Sequence, residues 1–160
     1  MPVSGTRPLP SLLTPTPTLL DIRPLPAEST ASWLQRLANA HHLAPAHLLD
    51  GLAITTSSRP SRTPGGSELH LDHTAQHRLA AFTRLPHHYL THALPRLNDL
   101  PQVPARPGHT GGHAAWRRLE AHETPAQACP ACTLRRTHGT TSRALAYLPD
   151  HARLCPQHHR

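Results

Sequence analysis

All three cysteines of this 160-residue chain fall in its last 32 positions, as Cys129-Pro-Ala-Cys132, a 22-residue spacer, and Cys155-Pro-Gln-His158. Two ligands three positions apart can hold one metal ion from a single tight turn. A second such turn completes a tetrahedron. The pattern predicts one structural zinc ion held by Cys129, Cys132, Cys155 and His158. His159, His138 and His151 lie near enough in sequence to compete for the fourth place.

Other cysteine chemistries fit this pattern poorly. An odd count without a signal peptide argues against a disulfide framework. A redox CxxC would want a βαβ setting, and haem attachment would need His directly after Cys132, where Thr133 stands. A catalytic zinc keeps one position open for water and a general base nearby. Here four ligands are on offer and the single local carboxylate is Asp150. Nucleophile elbow, phosphate-cradling glycine loop, HExxH helix and the HxE of zinc deaminases are all missing, so no enzyme and no small-molecule substrate are expected.

With 19 prolines and 3% aromatic residues, the chain is not expected to build a large continuous core. Its formal charge is +7. Three thiolates on one zinc ion would lower that by about one and leave it basic, which favours a polyanion, DNA above all. Every one of the 16 basic residues is arginine, a bias that a GC-rich genome also produces. Asp72-His73, His41-His42 and His87-His88 are read as solvent-facing rather than as metal sites. No apolar run approaches the roughly 20 residues of a membrane span. The N-terminus lacks an apolar stretch with a basic flank, so a cytoplasmic location is expected.

Composition divides the chain. Residues 1–22, dense in Pro and Thr, read as an extended or disordered tail. Residues 55–67 and the linker 101–112 combine Pro, Gly and polar residues without a hydrophobic period. Between these breaks, residues 23–100 read as helical hairpins. Ser29 can cap a helix with Trp33, Leu34, Leu37 and Ala38 on one face, and Pro45 suits the start of a second. Asp72 can cap a third, with Ala75, Leu79 and Phe82 inward, and Pro86 restarts a fourth. The two pairs share a pattern: Arg36-Leu37-Ala38, Leu43 and Pro45 against Arg78-Leu79-Ala80, Leu85 and Pro86. The last piece, 113–160, opens with an amphipathic turn or two around Trp116 and Leu119, and a short strand is expected within 144–148. The expected fold is therefore mainly α, with short helix-turn-helix-like hairpins followed by a zinc-finger segment carrying one short hairpin or strand. So few apolar side chains cannot hold that segment alone. Structural zinc, at about 10–16 kcal/mol apparent, would decide whether it folds.

With both ends in view, the chain resembles the TniQ family of bacterial transposition proteins. Arg23-Pro-Leu-Pro-Ala-Glu28-Ser29, Ser32-Trp33-Leu34, Arg36-Leu37-Ala38, Leu43 and Pro45 look like its opening signature. Cys129-Pro-Ala-Cys132 and Cys155-Pro-Gln-His158 look like its zinc-finger ligands, and Arg78-Leu79-Ala80 with Leu85-Pro86 is similar to its second hairpin. The resemblance implies a non-catalytic target-selection adaptor that binds DNA or an RNA-guided effector and recruits an AAA+ ATPase. Arg135, Arg136, Arg143 and Arg153, set between the metal ligands, are the candidate phosphate contacts.

Overall fold

The computed structural model describes residues 22–98, 110–141, 143–149 and 155–158. The expected tail, apart from Ile22, and most of the expected linker lie outside them.

The two helix pairs form where the apolar spacing placed them. Helix α1 (Thr30–Ala40) begins at Ser29, whose Oγ accepts from Ser32 N at 3.1 Å, and buries Trp33, Leu34, Leu37 and Ala38. Helix α2 (Pro45–Gly51) has proline in its first turn, and Ala44 before it makes no side-chain cap. Two β-strands follow, β1 (Ile54–Thr56) and β2 (Ser67–Leu71). Helix α3 (His73–Thr83) is capped by Asp72, whose Oδ1 accepts from Ala75 N at 2.7 Å. Helix α4 (His87–Ala93) starts directly after Pro86.

The shared sequence pattern has a physical basis in how α1 and α3 end. Leu43 N donates to Ala38 O and His42 N to Asn39 O, with His42 at φ 57°. Leu85 N donates to Ala80 O and Arg84 N to Ala81 O, with Arg84 at φ 55°. Both are Schellman closures, in which a left-handed residue turns the chain back onto the helix. Neither left-handed residue is glycine, so each carries a backbone cost of roughly 1–2 kcal/mol. Of the leucines that follow, Leu85 packs against the core while Leu43 is exposed, and proline then leads into the next helix. The one-residue offset of the prolines leaves Pro45 inside its helix and Pro86 just before its own.

The sequence reading contained no sheet in this half, and the structure corrects it. The segment around Trp116 is strand, not helix: β3 (Gly112–Arg118) runs between β1 and β2, parallel to the first and antiparallel to the second. The expected piece 113–160 therefore does not begin as a unit of its own, because its first strand completes the sheet under the helices. Gly112 permits close approach to α3, since a Cβ there would meet Ala75 Cα at 2.8 Å. One face of this sheet carries Leu69, Leu71 and Ala114 into the core with Leu34, Leu79 and Leu90.

The C-terminal segment adds β4 (Ala126–Gln127), α5 (Pro130–Arg136) and β5 (Leu145–Ala146), with β4 and β5 antiparallel. The strand expected within 144–148 is β5. It also docks on the residues that precede α1: Ser29 N donates to Leu145 O at 2.8 Å, and Tyr147 N to Ala27 O at 2.8 Å. Leu145 N donates to Ser32 Oγ at 2.9 Å. The segment that leads into α1 thus meets the one that carries β5.

Candidate metal centre

Each half of the Cys/His cluster comes from a local turn. Pro130 opens α5, so Cys129 and Cys132 flank its first turn, and Thr133 N closes back on Cys129 O at 2.9 Å. Cys155 and His158 sit on a second turn, closed by His158 N donating to Cys155 O at 3.2 Å. The ligand atoms of all four lie within 4.8 Å of one another.

The distances test whether a metal fits. With bonds of about 2.3 Å to sulfur and 2.1 Å to nitrogen, a zinc tetrahedron has S···S edges of about 3.8 Å and S···N edges of about 3.6 Å. Here Cys132 Sγ and Cys155 Sγ are 3.6 Å apart. His158 Nδ1 lies 3.4, 3.5 and 3.4 Å from the sulfurs of Cys129, Cys132 and Cys155. These four residues could hold one metal ion, and three thiolates with an imidazole suit a soft or borderline one. His138 lies past the end of α5, outside the cluster, while His151 and His159 are outside the described residues.

Without a cation the cluster opposes itself. Hydrogen bonding to Cys155, then burial, push the Cys132 thiol up to about 11. Hydrogen bonding from His158 draws Cys155 down to about 6. The three sulfurs cannot share one site as thiolates unless a positive ion sits among them.

Of the candidate phosphate contacts, Arg135 and Arg136 are exposed in the last turn of α5, and Arg143 is exposed just before β5. Arg153 lies outside the described residues. Arg136 also lines a cleft of about 470 Å³ between the cysteine turns and Leu25-Pro26.

Two buried carboxylates that sequence reasoning did not single out hold the metal-bearing segment in place. Glu28 is fully buried and takes a two-pronged contact from Arg36, at 2.8 and 2.6 Å, together with Leu25 N and Ser32 Oγ at 2.9 Å. Ser32 Oγ is the same atom that receives Leu145 N. Pro26 and left-handed Ala27 (φ 60°) form the turn that aims Ala27 O at Tyr147 N. Glu68, on β2, accepts from Ala31 N at the start of α1 and from Tyr147 Oη. Burial raises its carboxyl above the ordinary range, against the opposing pull of those hydrogen bonds. Arg23-Pro-Leu-Pro-Ala-Glu28-Ser29 is thereby explained as a receptor for β5. The sequence marked this segment as a signature but carried no local sign that it binds β5.

Of the pairs expected to face solvent, His42, His73 and His88 are exposed, whereas His41, against Phe82, and Asp72 and His87 are half-buried. His73 and His77 also bring their Nε2 atoms to 3.0 Å on one face of α3. Among the described residues, the Cys/His cluster is the group placed to hold a metal. No helix among them is long and apolar enough to cross a membrane.

The family model described as TniQ matches residues 19–160, nearly the whole chain. No curated protein and no solved structure matches it.

Proposed function

The chain belongs to the TniQ family, and from that premise we propose that it is a zinc-stabilised, non-catalytic adaptor of bacterial transposition. In this reading it contacts target DNA and passes the site to a partner AAA+ ATPase. One zinc ion, held by Cys129, Cys132, Cys155 and His158, is purely structural.

The observation that carries the reading is the junction of the two family signatures. The metal turns fold α5 and β5 into one small unit, and β5 docks against Ala27, Ser29 and Ser32. A metal used this way fixes the presentation of a surface and leaves no coordination place for a substrate. The exposed guanidinium groups of Arg135, Arg136 and Arg143 then stand on a rigid support, where each phosphate contact would steepen the salt dependence of binding.

A helix-turn-helix regulator is the weaker reading. The α2 and α4 sequences, PAHLLDG and HHYLTHA, offer no Arg, Asn or Gln for base edges. That same lack favours a second reading, a protein-interaction module whose finger is only a staple. The two are separated by measuring duplex DNA binding and capture of an AAA+ transposition ATPase from the native host, both with zinc-loaded protein. The adaptor binds both, and its DNA affinity falls steeply between low and moderate salt. ATPase capture without DNA binding selects the interaction module. Binding to neither overturns both readings.

A further inference from the structure

The loop between β1 and β2 reads in sequence as a structureless break, yet the structure pins it to the sheet. Ser58 Oγ receives Trp116 N at 2.8 Å and donates to Trp116 O at 2.9 Å, so one side chain clamps the loop to β3. Farther on, Ser61 N donates to Ser67 Oγ at 3.0 Å, and Thr63 N to Ser61 Oγ at 3.2 Å. Leu119 N donates to Gly66 O at 3.1 Å. Gly66 lets the loop close this tightly, because a Cβ there would lie 2.9 Å from Ser61 Oγ.

This loop and the end of β3 border an open depression of about 400 Å³, with the exposed Arg59, Arg62 and Arg118 and the side of Trp116 along it. The remaining lining is hydroxyl and proline, with no carboxylate. Among the described residues none of the three guanidinium groups has an ion-pair or side-chain hydrogen-bond partner. By contrast the neighbouring Arg117 is engaged with Glu123 at 3.0 Å from both prongs. Three exposed guanidinium groups along one depression offer several forked donors to an anion, and guanidinium forks match phosphate oxygens. The half-buried Trp116 supplies an apolar wall beside them.

We propose that the pocket formed by Arg59, Arg62, Arg118 and Trp116 is a phosphate-binding site through which the chain grips the backbone of DNA, on the sheet and apart from the finger. It rests on the DNA-facing reading above and assigns that contact to residues outside the metal unit.

The test uses the full zinc-loaded chain and fluorescence anisotropy with a labelled DNA duplex over a range of salt. The triple variant Arg59→Gln/Arg62→Gln/Arg118→Gln is compared with Arg135→Gln/Arg136→Gln, after checking that zinc content and melting temperature are unchanged. The expected result is an affinity loss of tenfold or more in the triple variant, with its salt slope shallower by about two to three phosphate contacts. Unchanged affinity and slope in the triple variant, with wild-type binding intact, overturns this assignment while leaving the adaptor reading in place. Inorganic phosphate bound by the wild-type pocket, with DNA binding indifferent to the triple change, also overturns it by making the site one for a free anion. Absence of DNA binding by the wild type at low salt removes the broader reading and this one together.

Discussion

Tyr147 Oη donates to Glu68 Oε2 at 2.6 Å, joining the finger segment just after β5 to a fully buried carboxylate on β2. Glu68 Oε1 meanwhile holds Ala31 N at the head of α1. One side chain therefore couples the sheet, the first helix and the C-terminal segment. Tyr147→Phe removes the bond and leaves a buried acceptor short of a partner, at about 1–3 kcal/mol. Urea denaturation should show the unfolding free energy falling by that amount, through a lower midpoint at an unchanged slope. An unaltered midpoint would mean the contact carries no stability.

The Glu28–Arg36 pair should be the more sensitive element. Its Oε2–Nη2 distance is 2.6 Å, and both side chains are almost wholly buried. Glu28→Gln leaves the Arg36 guanidinium uncompensated, and breaking such a pair costs about 3–5 kcal/mol. Because Glu28 also holds Ser32, which receives Leu145 N, exchange protection should drop at Leu145 as well as across α1. Loss confined to α1 would show that β5 docks independently of this network.

Much of this was legible in the sequence, for identifiable reasons. The four ligands are local pairs, and the apolar stripe of α1 repeats at helical spacing, so short-range pattern sufficed. The same holds for the caps Ser29 and Asp72. The sheet was not legible. β1 spans Ile54–Thr56 and pairs with residues nearly 60 positions away, and β3 is built from Gly, His, Ala, Trp and Arg, without the alternation that marks a strand. Hydrogen bonding on both sides, rather than side-chain pattern, makes it central. Nor could spacing reveal that Glu28 and Tyr147 serve one interface, since that contact exists only once β5 docks beside the start of α1.

Acid should weaken the helical half through His87. Partial burial first, then the charges of His77, His73 and His88, hold its pKa below the ordinary value. Its ring also lies 4.7 Å from that of His77, and its Nε2 is 2.7 Å from Gln76 Oε1. The unfolded chain binds this proton more readily than the folded one. The associated stability is therefore full above about pH 6.5 and lost as pH falls through the lower folded value. His87→Gln should lose less stability than wild type between pH 7.5 and pH 5.5, measured by urea midpoints. Equal losses would place the acid sensitivity elsewhere.

Metal loss should act regionally. In Cys132→Ser, hydrogen exchange should accelerate through residues 126–149, where the apolar side chains are few. Amides of Leu34, Leu69 and Leu79, all in the main core, should stay protected. If those amides lose protection in parallel, metal site and core form one cooperative unit.

The most direct test of the account is native mass spectrometry of the purified, reduced chain, followed by titration with a chelator. A mass increment of one zinc ion per chain is expected. The ion should be released as chelator is added or pH is lowered, because the ligands must shed protons to bind it. Collapse of exchange protection around Cys129–Arg136 should accompany the release. A metal-free chain whose C-terminal segment is fully protected, or a mass lower by two hydrogens from a Cys132–Cys155 disulfide, would contradict it.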